Sequence, residues 1–303
     1  MIKKSDFQQK ITTLLPEIDL RLAEPMSKHT SFRIGGPAEV MAFPKNVEEL
    51  KKLLHTAKVL DCPRAIMGAG TNILAPDGGV SGLVICLKDC MDGIERINDT
   101  TIRVFAGVTM ARAAVFAAGQ GLSGLEFAHG IPGTVGGAVY MNAGAYDGEI
   151  AQVCKSVEVL TLEGNLITYT AEQMNFSYRH SRLQEDAGIV ISALFSLEPK
   201  DQTEIRERMQ ELMQRRKASQ PLDMPSAGSA FKRPAGGYAA ALIDNAGLKG
   251  FRIGNAAVSE KHAGFVVNLG GATAKDVKSL LQQVSQRVYD HSGIMLEPEV
   301  RIW

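Results

Sequence analysis

Two glycine-rich stretches carry the clearest chemical signal in this sequence. The longer, GIPGTVGGAVYMNAGAYDGEI, starts at Gly130 and sets Gly133, Gly136 and Gly137 among Ile131, Pro132 and Thr134. Asn142, Ala143 and Gly144 follow within it. The shorter is Gly68-Ala69-Gly70-Thr71-Asn72, directly after apolar Ala65-Ile66-Met67. Residues without a Cβ let backbone approach a ligand closely and reach positive φ at little cost. Several in one loop can turn successive N–H groups onto a single anion. Either stretch alone reads equally as a tight turn. Together they point to a long ligand with phosphates near its middle, held at more than one place.

The shorter loop begins a GxG, yet a dinucleotide-binding fingerprint does not fit. Position 73 is Ile where the third glycine belongs, and Pro76 with Gly78-Gly79 prevents the helix that must follow. Asp89 stands at a suitable distance for a ribose contact, a weak signal by itself. A phosphate at this loop would be held by a backbone nest.

The elements that would position these loops alternate in type. Ser5 with Gln8 resembles a capping box for a helix ending near Pro16, and Asn46 with Glu49 a second. Leu50, Leu53, Leu54 and Ala57 give that second helix an apolar face. His29 to Ala38 reads as strand, turn, strand. Further strands are expected at 64–67, 82–87, 102–106, 157–160, 167–170 and 189–197, with a helix at 110–119. The charged segment 202–217, apolar only at Ile205, Met209, Leu212 and Met213, reads as a helix bridging to a second domain. Thr273 with Asp276 caps a last helix striped by Val277, Leu280, Leu281, Val284 and Val288. In the closing LEPEVRI, extended backbone would put Glu297, Glu299 and Arg301 on one face.

Composition sets outer bounds. A chain of 303 residues holds two or three domains more readily than one. Lys plus Arg and Asp plus Glu both number 33, so no global charge draws the chain to nucleic acid or anionic membrane. Cys62, Cys86, Cys90 and Cys154 form neither CxxC nor zinc-type spacing, which suits free thiols in a reducing cytoplasm. With no signal peptide and no apolar run near the roughly 20 residues of a membrane helix, a cytoplasmic protein is expected.

Eight stretches in order resemble the UDP-N-acetylenolpyruvoylglucosamine reductases, the MurB family of flavoenzymes in bacterial peptidoglycan precursor synthesis. They are SFRIGGPAE (31–39), GAGTNIL (68–74), GLEFAHGIPGTVGGAVYMNAGAYDGEI (124–150), FSYRHS (176–181), SAGSAFKRP (226–234), AALIDNAGLKGFRIG (240–254), AVSEKHAGFVVN (257–268) and LEPEV (296–300). Arg233 stands where the family commonly has asparagine. The interval from Arg179 to Ser229 has no room for an extra substrate-covering loop, so the resemblance is to the shorter, type II form.

That resemblance implies an α+β protein: an FAD-binding domain of PCMH type made of two α/β subdomains, then a C-terminal α+β substrate domain. It implies boundaries near 1–29 for a lead-in segment, 30–197 for the FAD domain and 198–303 for the substrate domain. The implied cofactor is non-covalent FAD, with NADPH as hydride donor and UDP-N-acetylglucosamine enolpyruvate as substrate, in a monomer. Hydride delivered to the enolpyruvyl β-carbon drives charge onto the carboxylate, and the α-carbon then takes a proton. By the resemblance Arg179 would hold the carboxylate through a planar fork; a surface ion pair is the plain alternative. Glu299 would be its carboxyl partner, or simply a strand charge paired to Arg301. Ser229 would be the proton donor, with Lys232 nearby, or else a turn serine capping backbone. Arg215, Arg216 and Lys217 could meet the diphosphate or form a solvated helix end. A flavin oxidase of the same broader fold and a nucleotide-sugar or flavin-binding regulatory protein are the rival functions. For pure binding, Arg179, Ser229 and Glu299 together would be gratuitous.

Overall fold

A computed structural model describes residues 4–88 and 90–303, with side chains from Phe7 onward. Asp89 and the side chain of Ser5 therefore lie outside the described residues. The chain forms two compact units. Among the described residues the first comprises 4–22, 40–69 and 82–215, and the second 23–39, 70–81 and 216–303. The division falls inside the strands Asp19–Pro25, Pro37–Phe43 and Val80–Cys86 and inside the helix Gln202–Ser219.

The first unit is built on two cores. One belongs to an antiparallel sheet with strand order Leu166–Thr170, Cys154–Thr161, Gly188–Ser196, Thr101–Phe105, Ile94–Arg96. The helix Val135–Tyr140 packs on its strands Gly188–Ser196 and Thr101–Phe105, and the same core takes in the helix Met110–Gly119, capped by Thr109 and burying Met110, Ala113, Ala114, Ala117 and Ala118. The other core gathers around the helix Val47–Val59. Asn46 accepts from the Glu49 amide at 2.9 Å, whereas the Glu49 carboxylate reaches the Lys45 amide at 2.7 Å instead of completing the box on Asn46. Leu50, Leu53, Leu54 and Ala57 are all buried, as their spacing predicts. In this region Arg64–Met67 pairs parallel to Val80–Cys86 and delivers the chain to Gly68. All four cysteines are buried thiols outside any disulfide, and burial pushes the Cys154 thiol up to about 12, so it is inert as a nucleophile.

Two expectations need correction. His29–Gly36 is not a strand pair: a short 3-10 turn at Met26–Lys28 runs into a coiled segment, and strand begins only at Pro37. The local bonds Arg33 N to Thr30 O (3.0 Å) and Thr30 Oγ1 to Ile34 O (2.9 Å) close it on itself. Arg33 takes φ +54 there, so side-chain-to-backbone bonding has displaced the ladder. The helix end at 215–217 is not uniformly solvated either. Arg216 is buried at 9% exposure, while Arg215 pairs with Glu211.

The second unit centres on the helix Ala274–Ser292. Thr273 and Asp276 form a full reciprocal capping box, and Gly293 closes the far end at φ +74. Val277, Leu280, Leu281, Val284 and Val288 are at most 2% exposed. Burying each such side chain stabilises by roughly 1.5–3 kcal/mol. They pack with an antiparallel sheet ordered Ser226–Ser229, Phe265–Asn268, Ala256–Val258, Arg252–Ile253, and with the helix Ala239–Asn245. Among the described residues no helix is long and apolar enough to cross a membrane.

Candidate active site

Within the first unit the start of the shorter glycine loop meets the longer one. A Cβ built on Gly68 would lie 2.3 Å from Thr134 Oγ1. A side chain at 68 would meet that buried hydroxyl, so Gly68 and Thr134 lie on one surface of this unit. Thr134 is buried and caps the helix Val135–Tyr140, which replaces the continuous loop that the glycine content suggests. Tertiary hydrogen bonds explain the helix: Val135 N donates to Val108 O (2.8 Å) and Gly136 N to Ala106 O (3.0 Å).

Ahead of that helix, Gly130, Ile131 and Pro132 lead into Gly133, whose φ of +127 suits glycine alone. Among the described residues, the N–H groups of Gly133 and Thr134 meet no protein acceptor, and neither do those of Gly68 and Ala69. That is the donor set a pyrophosphate needs. Beside them His129 Nδ1 is buried with no partner among the described residues, and burial lowers the imidazole pKa, favouring its neutral form. A neutral ring and a row of open amides fit a flavin dinucleotide. In the sequence His129, standing in Ala128-His129-Gly130, bears on non-covalent flavin binding and gives no sign of this buried place.

Gly133 is a poor mutational probe, because a side chain at φ +127 strains the backbone itself. Gly137 is cleaner. It is helical and exposed, and a Cβ there would meet only Thr134 Oγ1, at 3.7 Å. Gly137→Leu should keep or slightly raise thermal stability, since helical glycine costs roughly 0.5–1 kcal/mol relative to alanine. The same variant should lose bound flavin. Full flavin occupancy in a stable Gly137→Leu protein would show that this end of the segment serves only folding.

Downstream, Asn142 is fully buried at φ +41, and its amide is engaged by protein. Nδ2 donates to Ser177 O and Oδ1 accepts from Ala151 N, both at 2.9 Å. Asn142 thus acts on its surroundings by fixing backbone. Ala143 and Gly144 lead into a hairpin, Gly144–Ala145 with Gly148–Glu149, turned by Tyr146 and Asp147 at φ +51 and +64. Arg179 lies against it. Its Nη2 donates to Gly144 O at 3.1 Å, and its guanidinium sits 5.0 Å from the Tyr178 ring centroid. Arg179 occupies φ +56 in a two-residue turn closed by Ser177 and His180. Non-glycine residues held at positive φ cluster where function requires a set geometry.

The second unit carries the remaining residues, and it draws them together. Asn72 Nδ2 donates to Glu299 O at 3.3 Å, and Arg301 N donates to Asn72 O at 3.0 Å. The shorter loop's last part, Gly70-Thr71-Asn72, is thereby fixed to the C-terminal strand, whose Arg301–Ile302 pairs parallel to Ile73–Leu74. Glu299 N in turn donates to Ala230 O (2.9 Å), next to Ser229. Ser229 follows Gly228 at φ +78 in a bulge against Phe265–Asn268. Bulges re-aim side chains, and Ser229 is left exposed. Lys232 pairs with Glu297 beside the isolated bridge of Phe231 and Pro298, so its ammonium is partnered by that carboxylate. Arg233 stacks on Tyr238 at 4.1 Å.

These features define a flavoprotein of the FAD-binding class, and residues 38–170 match the family described as FAD binding domain. Residues 220–303 match UDP-N-acetylenolpyruvoylglucosamine reductase, C-terminal domain. A reductase of that name from Agathobacter rectalis is 47% identical, aligned over 98% of both chains. One from Syntrophomonas wolfei is 45% identical over 97% of this chain and 98% of its own. The crystal structure of the Thermus caldophilus enzyme superposes with a TM-score of 0.77 at 37% identity, covering 95% of this chain and 99% of the other. The chain belongs to the UDP-N-acetylenolpyruvoylglucosamine reductase family.

Proposed function

We propose that this chain reduces UDP-N-acetylglucosamine enolpyruvate to UDP-N-acetylmuramate, using FAD and NADPH, as a step in peptidoglycan precursor synthesis. The cofactor half is carried by one observation: N–H groups of Gly133 and Thr134 that meet no acceptor among the described residues, beside the glycine-thin contact of Gly68. The substrate half rests on family membership over nearly the whole chain. The loops 68–72 and 130–137 would hold FAD with Ala143 and Gly144, on backbone that Asn142 fixes. When bound, FAD accepts hydride from NADPH and passes it to the enolpyruvyl β-carbon.

The chain's own residues then handle charge and proton. Arg179 binds the substrate carboxylate and stabilises the negative charge that hydride addition drives onto it. Glu299, fixed through its amide to Ala230 O and through its carbonyl to Asn72, supplies a carboxyl group to the developing enolate. Ser229 Oγ gives the α-carbon its proton. As functional divisions, 30–197 serves the cofactor and 198–303 the substrate, with 1–29 leading in. The cytoplasm is the compartment assigned, since the sugar nucleotide and NADPH are both found there.

The test is the fate of the colour. The purified protein should be yellow, and acid or heat should free all flavin from the denatured chain. A colourless protein that FAD cannot reconstitute would remove the cofactor. Flavin left on the denatured chain would overturn non-covalent binding.

A further inference from the structure

Arg179 owes its place to an amide clamp, and the structure assigns Gln184 as the positioning residue at the centre of that clamp. The inference rests on the carboxylate-binding role proposed above for Arg179. Gln184 Nε2 has two hydrogens to give and two carbonyl oxygens within hydrogen-bond reach, with Met141 Sδ more distant at 3.9 Å. The two oxygens are Arg179 O at 2.9 Å and Tyr140 O at 3.1 Å. The first acceptor is the backbone of the arginine itself; the second is the last residue of the helix Val135–Tyr140. Ser181 Oγ donates to the same Tyr140 carbonyl at 2.7 Å, and Ser181 is fully buried. On the turn's other side Asn142 Nδ2 holds Ser177 O.

The Tyr178–Arg179 turn is therefore held from both ends by side-chain amides anchored to the glycine-rich segment. It needs holding. Arg179 sits at φ +56, a conformation that a long-chain L residue keeps only where its surroundings over-determine it. Without Gln184 the Arg179 carbonyl loses this donor, and the turn is freer to relax toward negative φ. That relaxation would swing the guanidinium away from Gly144 O, 3.1 Å from Nη2. Misplacement of a charge-stabilising group by about 1 Å can cost up to about 10²-fold in rate. Gln184 touches no reacting atom in this scheme and acts only through Arg179.

The test uses holoenzyme and stopped-flow absorbance without oxygen. Gln184→Met keeps the length and removes both donors. Flavin content and bleaching by NADPH should be unchanged, while reoxidation by the enolpyruvyl substrate should slow by about ten- to a hundredfold. If Gln184→Met does not fold, Gln184→Asn, one methylene short of both carbonyls, is read in the same way. Combined with Arg179→Ala, the Gln184 change should add nothing further, because its effect passes through the arginine. Full additivity, slowing of both half-reactions, flavin loss, or unchanged reoxidation would each overturn the clamp. If Arg179→Ala itself reoxidises normally, the role of Arg179 is wrong and the clamp falls with it. If Arg179→Ala is slow and Gln184→Met is normal, the clamp alone is wrong.

Discussion

Ser229→Ala should bleach normally on mixing with NADPH and then recover its colour from the enolpyruvyl substrate about 10²–10⁴ times more slowly than the parent. The asymmetry follows from the chemistry. Flavin reduction needs no proton on carbon, whereas the α-carbon of the substrate must be protonated once hydride has reached the β-carbon. Ser229 is presented suitably for proton donation, since it is exposed at the end of a strand and turned by the bulge at Gly228. Its immediate neighbour Ala230 is paired through backbone to Glu299. Lys232, the nearest sequence candidate for tuning the hydroxyl, is bonded to Glu297. Ser229→Cys keeps a more acidic donor and should recover part of the rate. Slowing of both half-reactions would make Ser229 a shaping residue. No slowing in either would make it a turn residue and send the proton source elsewhere.

Arg179→Lys should remain badly impaired, with turnover down by about 10²–10³, the usual loss when one preorganised donor to a developing oxyanion is removed. Lysine retains the charge but not the planar fork. It also cannot reproduce the arginine's split attachment, with one guanidinium nitrogen on Gly144 O and the plane near the Tyr178 ring. The loss should fall on turnover more than on substrate binding, because the charge it opposes grows only in the transition state. Glu299→Gln, measured beside it, should show the same division between turnover and binding. Near-normal turnover in Arg179→Lys would show that a point charge suffices.

Much of this was legible in the residues, and the failures have physical causes. The strand Arg64–Met67 and the helix Met110–Gly119 stand where the periodicity puts them. So does the apolar stripe of Ala274–Ser292, because caps and apolar spacing act locally. The helix Val135–Tyr140 was hidden since its formation depends on carbonyls of Ala106 and Val108, some 30 residues away in sequence, not on propensity. His29–Gly36 misled for the opposite reason: short-range bonds from Thr30 overrode a strand-like pattern. Asn142 was visible as part of a glycine-rich motif, but its bonds to Ser177 and Ala151 join segments no spacing rule connects. Gln184 carried no signal at all. Nor does any composition shift mark the excursions 23–39 and 70–81, which belong compactly with the C-terminal unit.

The most direct measurement is an anaerobic absorbance titration of the purified holoenzyme. One equivalent of NADPH should bleach the flavin, and one equivalent of UDP-N-acetylglucosamine enolpyruvate should then restore the yellow colour as UDP-N-acetylmuramate forms. Reduced flavin that ignores the enolpyruvyl substrate, yet recovers rapidly once oxygen is admitted, would contradict the reductase and leave an oxidase in its place.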